Sequence, residues 1–270
     1  MKGEESHIPD SIVPITAIVI TYNEEDNIRR TLNALSRVDQ VIVLDSDSRD
    51  QTKQIAQEFP NVTLQIRPFD NLMNQWNYGH TLAKHDWVLS LDADYLVSPA
   101  LLNEIAALDL AKAGYEAPFR YCIYGHPLRS AVLPPRIVFY NRQVSRYTQD
   151  GHAQKIIVEG NIGKLRNPVF HDDRKNLDRW LGSQLVYSSQ ELTKLKESEV
   201  SLSFVDRLRK KTILTPFIIF FYCLLWKGGI LEGRKGWFYA IQRLYAETIL
   251  VMRIMDHKIK QANINNQQTK

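Results

Sequence analysis

The chain has 270 residues, which suffice for one large domain or for one catalytic domain with an appendage. Its 44% hydrophobic and 24% charged residues are typical of a globular protein and exclude a disordered or fibrous chain. A net charge of +4 is too small to predict a nucleic-acid partner. The two cysteines, Cys122 and Cys223, exclude a disulfide framework, and the polar residues 1–14 are not typical of a signal peptide.

The first hundred residues alternate apolar, β-branched runs with segments of helical periodicity. The runs predict four strands, which are Ile15–Thr21, Val41–Leu44, Val62–Ile66 and Trp87–Leu91. The intervening and following segments predict four helices, which are Glu24–Ser36, Gln51–Phe59, Leu72–Ala83 and Leu101–Leu108. Strands that alternate with helices in this order predict an α/β fold with a mostly parallel central sheet.

Residues 111–200 contain short β-type runs interrupted by Pro, Gly and basic residues, which predict an irregular and largely antiparallel extension of the same domain. The runs are Tyr115–Ile123, Ile137–Tyr140 and Lys155–Val158. A final helix is predicted over Asn176–Lys196. We therefore expect one domain over residues 15–200, divided into two halves at residue 110, and a flexible tail over residues 261–270.

The segment 201–260 combines apolar runs with basic residues. Thr212–Trp226 has only fifteen residues and contains Pro216, so it falls short of the ~20 residues that a helix needs to span a bilayer. Trp237–Met255 places aromatic and aliphatic side chains on one helix face. The basic residues that precede both runs are Arg207, Arg209, Lys210 and Lys211. Together these features predict helices that attach to an anionic membrane surface without crossing it; the alternative is a helical pair packed on the sheet.

Polar residues follow three of the predicted strands, at the edge where open α/β sheets bind their ligands. They are Thr21, Tyr22, Asn23 and Glu24 after the first strand, Asp45 and Asp47 after the second, and Asp92 and Asp94 after the fourth. No glycine-rich turn follows the first strand, which excludes a dinucleotide-binding fingerprint. Asp92 and Asp94 can share a divalent cation, and Mg²⁺ or Mn²⁺ bound to a diphosphate is the predicted occupant.

These polar segments resemble the motifs of glycosyltransferase family 2, and more narrowly those of small bacterial enzymes of lipopolysaccharide-core and exopolysaccharide assembly. The matching segments are Thr21-Tyr22-Asn23-Glu24, Asp45-Ser46-Asp47-Ser48, Gln75-Trp76-Asn77-Tyr78-Gly79 and Leu91-Asp92-Ala93-Asp94. The resemblance implies a GT-A fold, an inverting mechanism and a nucleotide-diphosphate-sugar donor. It also implies a nucleotide-sugar-binding half in residues 15–110 and an acceptor half in residues 111–200.

The same resemblance implies roles for individual residues. The expected donor-binding residues are Thr21, Tyr22, Glu24, Asp45, Asp47, Asn77, Asp92 and Arg174, and the expected metal ligands are Asp94 and His171. For Asn77 the alternative is a helix-surface asparagine without a donor contact. Trp76 is expected in the core.

An inverting transferase needs a general base that removes the proton of the acceptor hydroxyl. The resemblance implies Asp150, in the segment Gln149–Ala153, for this role. Some relatives carry a glutamate where this chain has Ala153, and Asp172 and Asp173 are the alternatives for the base.

We therefore expect a metal-dependent, inverting glycosyltransferase that moves one sugar from a donor, expected to be UDP-linked, to a lipid-linked or lipopolysaccharide glycan. The expected location is the cytoplasmic face of the inner membrane. Two alternatives are a sugar-nucleotide nucleotidyltransferase and a non-catalytic membrane adaptor with a degenerate transferase fold. The first usually needs a glycine-rich triphosphate loop near the amino terminus, which this chain lacks. The acidic residues at three strand ends count against the second.

Overall fold

The structure, a computed structural model, describes residues 12–150, 153–197 and 204–268. The side chains of residues 149–154, 197–204 and 265–270 lie outside this description. The described residues form two compact units. The first comprises those of Met1–Phe119, Pro134–Thr148 and Lys155–Asp173, and the second those of Arg120–Leu133, Gln149–Gln154 and Arg174–Lys270.

The first unit begins with alternating strands and helices, as the sequence pattern predicts. The strands of this part are β1 (Val13–Thr21), β2 (Val38–Asp45), β3 (Val62–Ile66), β4 (Trp87–Asp92) and β5 (Tyr95–Val97). The helices are α1 (Ile28–Ala34), α2 (Thr52–Ala56), α3 (Leu72–Leu82) and α4 (Pro99–Ala106). The Ser98 side chain caps α4 by accepting from the Leu101 N–H, and Pro99 occupies the first turn, where its missing N–H costs nothing.

Short strands dominate the residues that follow, as predicted. They are β6 (Gly114–Ala117), β7 (Phe119–Ile123), β8 (His126–Pro127), β9 (Arg136–Asn141), β10 (Ser145–Asp150), β11 (Ala153–Val158), β12 (Ile162–Lys164) and β13 (Val169–His171). The predicted run Tyr115–Ile123 is divided between β6 and β7 because Pro118 lies between them and has no N–H to donate to a neighbouring strand.

The first unit is organised around a seven-stranded sheet with the order β12-β6-β9-β4-β1-β2-β3. β1 pairs in parallel with both β2 and β4, and β2 pairs in parallel with β3. β9 runs antiparallel to β4 and β6, between which it lies. The sheet is therefore mostly parallel, as predicted. Residues 17–19 of β1 and 41–44 of β2 are wholly buried, which explains why both strands are continuous apolar runs.

Two of the predicted helices are shorter in the structure. α1 begins at Ile28 because the preceding residues form a turn, in which the Asn27 N–H donates to Glu24 O at 2.9 Å. α2 ends at Ala56, three residues before the predicted end at Phe59. Pro60 explains part of this difference, since a proline disfavours helical backbone in the residue before it.

The second unit is mainly helical. Its helices are α5 (Leu177–Glu197), α6 (Phe204–Lys211), α7 (Thr215–Phe221) and α8 (Gly233–Gln268). A π-helical turn, Tyr222–Trp226, extends α7, and a 3₁₀ turn, Gly229–Glu232, precedes α8. Within the described residues no single helix is long and apolar enough to cross a membrane. Thr215–Trp226 and Gly229–Ile264 satisfy the same criteria of length and composition only as a pair, bent by 67° at the break between them.

The carboxyl-terminal helices differ from the expected organisation in two respects. Leu195 of α5 packs against Leu250 and Ile254 of α8, so α5 groups with the second unit and not with the sheet. We expected a flexible tail over residues 261–270, but the described residues 261–268 continue α8. No glycine or proline interrupts them, so nothing in the sequence ends the helix earlier.

Arg209 is enclosed between α5, α6 and α8. Its guanidinium pairs with Glu247 and also lies 3.1 Å from a carboxylate oxygen of Glu191 and 3.3 Å from one of Asp206. A guanidinium shared among three carboxylates has its hydrogen-bond donors occupied and is not available to lipid headgroups. The prediction that Arg209 belongs to a membrane-binding cluster is therefore wrong, whereas Lys211 is exposed.

Candidate active site

Asp92 and Asp94 flank a tight turn between β4 and β5, at the edge where the parallel strands end. The Thr31 hydroxyl on α1 donates to Ala93 O at 2.6 Å. The Asp172 N–H donates to Asp94 O at 3.0 Å. The backbone of the acidic turn is thus held from two sides by groups that are distant in sequence.

His171 reaches the acidic turn because β13 pairs antiparallel with β5, which places His171 opposite Tyr95. Its Nε2 lies 3.1 Å from Asp94 Oδ2. Burial alone lowers the pKa of the His171 imidazole, but the charge and hydrogen bond of Asp94, together with the charges of Asp92 and Asp173, outweigh burial and hold that pKa above its ordinary value. The structure therefore brings together the two residues that the resemblance assigns to a metal.

Asp92 lies in an environment that disfavours its charge. Burial raises the pKa of the Asp92 carboxyl, and the negative charge of Asp94 raises it further. The Tyr95 hydrogen bond and the charges of His171 and Arg136 oppose this shift without cancelling it. Two carboxylates that repel one another in a partly desolvated turn form a site that a divalent cation would stabilise.

Arg136 is a functional candidate that the sequence did not single out. Its Nη1 donates to the Tyr95 hydroxyl at 2.8 Å, and its guanidinium lies 5.2 Å from the centre of the Phe119 ring. It opens β9, which reaches the acidic turn only because β9 pairs with β4. No local motif distinguishes this arginine from the basic residues around it. Only the pairing of β9 with β4 shows that it lies near the acidic turn.

The ends of β1 and β2 are joined through Ser48. The Asp45 carboxylate is wholly buried and accepts from the N–H of Ser48 at 2.7 Å and from its hydroxyl. The Ser48 Oγ in turn accepts from the Asn23 N–H at 2.7 Å. Asp45 thus orders the loop after β2, and a donor contact by Asp45 stays a prediction. Asp47, by contrast, is exposed and pairs with Lys53 at 3.2 Å.

Three predicted donor-binding residues lie at the end of β1 and in the turn that follows it. The Thr21 hydroxyl is buried and has no hydrogen-bond partner among the described residues, so a bound ligand could supply one. The Tyr22 side chain is 52% exposed. Glu24 is held in the turn, because its N–H donates to Thr52 Oγ1 at 2.7 Å and its carboxylate accepts from Asn27 Nδ2 at 2.8 Å.

Arg30 connects α1 to the segment after β13. Its guanidinium donates to the Asp172 carboxylate and to Asp172 O, both at 2.7 Å, and to Asn27 Oδ1 at 2.7 Å. The Asn27 amide nitrogen donates to Asp173 Oδ1 at 2.9 Å. Asp172 is buried in this ion pair. A general base for the acceptor hydroxyl needs solvent access, so the position of Asp172 favours a structural role. The sequence pattern identified neither Arg30 nor Asn27.

Asn77 and Trp76 of α3 contact Tyr147 of β10. Asn77 Nδ2 donates to Tyr147 O and the Tyr147 N–H donates to Asn77 Oδ1, both at 2.9 Å. These bonds occupy both ends of the amide, so the position favours the structural alternative for Asn77. The Trp76 ring is buried and stacks on Tyr147 with 5.2 Å between centroids, which confirms its place in the core. His80 Nε2 lies 2.9 Å from the Tyr140 hydroxyl in the same cluster.

The remaining predicted site residues belong to the second unit. Asp150 is the last residue of β10, and its side chain lies outside the described residues. Arg174 is half-buried and directly follows the first unit in sequence. Their roles as base and phosphate contact stay predictions.

The residues at the acidic turn fit a divalent cation by their chemistry. Asp94 supplies a hard carboxylate oxygen, which Mg²⁺ and Mn²⁺ prefer, and His171 supplies an imidazole nitrogen. In the part of the chain that is described, no group of three His, Cys, Asp or Glu side chains is arranged to hold a metal alone. A cation here would therefore share its coordination with the phosphates of a ligand and with water.

Comparison with known proteins identifies a family for most of the sheet and for the acidic turn. The family model described as Glycosyl transferase family 2 matches residues 16–156, a range that contains the ends of β1, β2 and β4. An uncharacterized glycosyltransferase of Rickettsia conorii is 37% identical over 268 residues, which cover 93% of each chain. For the protein of the same description in Rickettsia bellii, 37% identity extends over 92 residues, 34% of this chain and 31% of that one.

A further relative has a more specific description. The lipopolysaccharide core biosynthesis glycosyltransferase LpsC of Rhizobium meliloti is 26% identical over 247 residues. The alignment covers 84% of this chain and 89% of LpsC, so it includes residues of both units.

Proposed function

The chain belongs to glycosyl transferase family 2, and we propose that it moves a single sugar from a nucleotide-diphosphate donor to a glycan acceptor, with inversion at the anomeric carbon. The observation that carries this proposal is the contact of Asp94 with His171 beside Asp92, at the end of β4. A diphosphate with a bound divalent cation carries both negative and positive charge. It therefore matches a site that combines acidic groups with the positively charged Arg136.

The donor-binding part of the proposal uses the strand ends. Tyr22 offers an exposed aromatic ring to the base, and the Thr21 hydroxyl offers a buried polar group that a ligand would satisfy. The Asp92 carboxylate can accept from ribose or sugar hydroxyls. Asp94 and His171 would hold Mg²⁺ or Mn²⁺, which supplies positive charge to the diphosphate as it leaves.

Transfer itself needs one proton to be removed. In the proposed reaction Asp150 accepts the proton of the acceptor hydroxyl, and the oxygen forms a bond to the anomeric carbon on the face opposite the diphosphate. The bond between that carbon and the phosphate oxygen breaks, and the nucleoside diphosphate departs with its electron pair. Attack on the opposite face is what inverts the configuration.

We propose the class of acceptor from the similarity of this chain to LpsC. The relation to LpsC supports an acceptor in lipopolysaccharide or a related lipid-linked glycan, and we propose UDP as the nucleotide. Such an acceptor is held by a membrane, and the cytoplasmic face is the proposed location. The sugar and the linkage depend on the shape of the acceptor-binding loops.

A screen of nucleotide sugars tests this function. The purified chain is incubated with UDP-, GDP-, ADP- and CMP-linked sugars and Mn²⁺ or Mg²⁺, and release of the free nucleotide is measured with and without a lipopolysaccharide fraction. We expect release from one UDP-sugar, faster with acceptor. The anomeric configuration of the product, determined by NMR, should be opposite to that of the donor. Retention of configuration, or release from no donor at all, contradicts the proposal.

A further inference from the structure

The connection between α7 and α8 carries large apolar side chains that point away from the protein. The residues 225–231, here called the apolar tip, include Leu231, 89% exposed, and Trp226, 83% exposed. Leu225 and Ile230 are 57% and 47% exposed. Single exposed apolar residues are ordinary, but a contiguous group of this kind marks a surface that a membrane or a protein partner covers.

The π-helical turn that leads into the tip is apolar on both of its sides. Cys223 and Leu224 are buried in a cluster with Tyr239 and Ala240 of α8. On the other side of the turn, Leu225 and Trp226 are exposed. A helix that is hydrophobic all round is typical of a segment that is buried in protein or lipid on every side, and here the protein covers only one side.

The tip is fastened to the rest of its unit. The Glu232 carboxylate accepts from the N–H of Arg129 at 2.6 Å, from the N–H of Ser130 at 3.2 Å and from the Ser130 hydroxyl. The Tyr239 hydroxyl accepts from the Val132 N–H at 3.0 Å. Residues on the carboxyl side of the tip are thus held by residues 129–132, so the exposed side chains are presented by an ordered backbone.

Two glycines allow the turn to close. Gly228 has φ +76°, a left-handed conformation that other residues rarely adopt. A Cβ on Gly236 would lie 1.9 Å from Gly229 O, so only glycine lets the first turn of α8 approach the 3₁₀ turn. The shape of the tip therefore depends on specific residues of the chain.

The charged residues that flank the tip along the sequence are almost all positive. Lys227, Arg234 and Lys235 are exposed next to the apolar residues. Between positions 212 and 246 the sequence contains a single acidic residue, Glu232, and its carboxylate is occupied by Arg129 and Ser130. Apolar side chains at a turn, bordered by exposed cations, match the order of hydrocarbon and anionic phosphate at a bilayer surface.

We propose that the apolar tip inserts into the interface of a bilayer that contains anionic lipid, with Trp226 and Leu231 among the acyl chains and Lys227, Arg234 and Lys235 at the lipid phosphates. This attachment is separate from the transfer reaction, because none of these residues belongs to the candidate active site. It uses other residues than the basic cluster that the sequence suggested, of which Arg209 is occupied by carboxylates.

Flotation with lipid vesicles tests the proposal on the full chain. Vesicles of phosphatidylcholine with phosphatidylglycerol are compared with pure phosphatidylcholine. We expect the wild type to float with the anionic vesicles, and the Trp226→Ala/Leu231→Ala double variant to bind at least about tenfold more weakly, because two large apolar side chains no longer leave water. Phe69→Ala is the matched control, since this 56% exposed aromatic residue lies in the first unit and should leave flotation unchanged.

A charge variant and a depth measurement complete the test. Lys227→Gln/Arg234→Gln/Lys235→Gln should weaken binding to anionic vesicles and flatten its dependence on salt. Brominated lipids should quench part of the tryptophan fluorescence of the wild type, and Trp226→Phe should lose that part. Release of nucleotide from a soluble donor should be unchanged in the double variant, which separates failure of this proposal from failure of the proposed function.

Two results would overturn the proposal. One is equal flotation of the double variant and the wild type. The other is that neither protein floats and that sedimentation velocity shows a dimer of the wild type but not of the double variant. The tip would then be covered by a second copy of the chain.

Discussion

His171 Nε2 lies 3.1 Å from Asp94 Oδ2, although 77 positions separate the two residues in the chain. The contact exists because β13 returns beside β5, directly after the acidic turn. Asp172, the next residue, then fastens the arrangement through its N–H to Asp94 O and through its carboxylate to Arg30. A carboxylate and an imidazole held this way form the polar centre on which the proposed chemistry depends.

Asp94→Asn should lower turnover by at least about two orders of magnitude, because the variant loses the charge of the proposed metal ligand with almost no change in shape. Nucleotide release at saturating donor measures the effect, and circular dichroism checks that the fold is retained. Asp109→Asn, at an exposed aspartate, is the matched control and should behave as the wild type. Full activity of the wild type in EDTA would show that the metal assignment is wrong.

Asp150→Asn should reduce transfer to the acceptor by about 10²–10⁴-fold while donor binding is retained, because the variant loses the proposed general base and no proposed contact with the nucleotide. Donor affinity by calorimetry is measured beside the transfer rate. Asp172→Asn should act differently. It should lower the free energy of unfolding by about 2–3 kcal/mol, since Arg30 loses its buried partner. Normal transfer by Asp150→Asn would favour Asp173 as the base.

Arg209→Gln should destabilise the fold by about 3 kcal/mol, because Glu247, Asp206 and Glu191 lose the guanidinium they share. Urea unfolding measures this change. Lys211→Gln, at an exposed neighbour, should change stability by less than about 0.5 kcal/mol. Equal stability of the two variants would contradict the enclosed ion-pair network.

His80→Gln should reduce the decrease in the free energy of unfolding that occurs as the pH falls. Burial, together with the charge of Arg142, lowers the pKa of His80 to about 4 in the folded chain. Between pH 6.5 and 4 the unfolded chain therefore binds a proton that the folded chain does not, and stability falls as the pH falls, by up to about 3 kcal/mol for this group. Glutamine retains a hydrogen-bond partner for Tyr140 and does not titrate.

Urea unfolding at several pH values measures this difference. His126→Gln, at an exposed histidine, serves as the control. If the free energy of unfolding depends on pH in the same way in His80→Gln and in the wild type, His80 is not the cause of that dependence.

The sequence by itself determined the parallel strands β1 to β4 and the acidic residues that lie at their carboxyl ends. Continuous β-branched runs such as Ile15–Thr21 are buried on both faces, and this requirement is visible locally as an apolar pattern. The polar residues that end these runs meet at one edge because parallel strands all end there. The position of Asp92 and Asp94 at this edge could therefore be predicted without a structure.

Only the tertiary structure decided which residues meet. Arg136, Arg30 and Asn27 reach the acidic turn or support it through strand pairing and helix packing, and no spacing rule in one sequence encodes those contacts. For the same reason Arg209 could not be told from its basic neighbours, since its three carboxylate partners come from α5, α6 and α8. Local patterns report the burial of a residue's own segment, whereas the role of a charged side chain depends on partners that the fold brings from far along the chain.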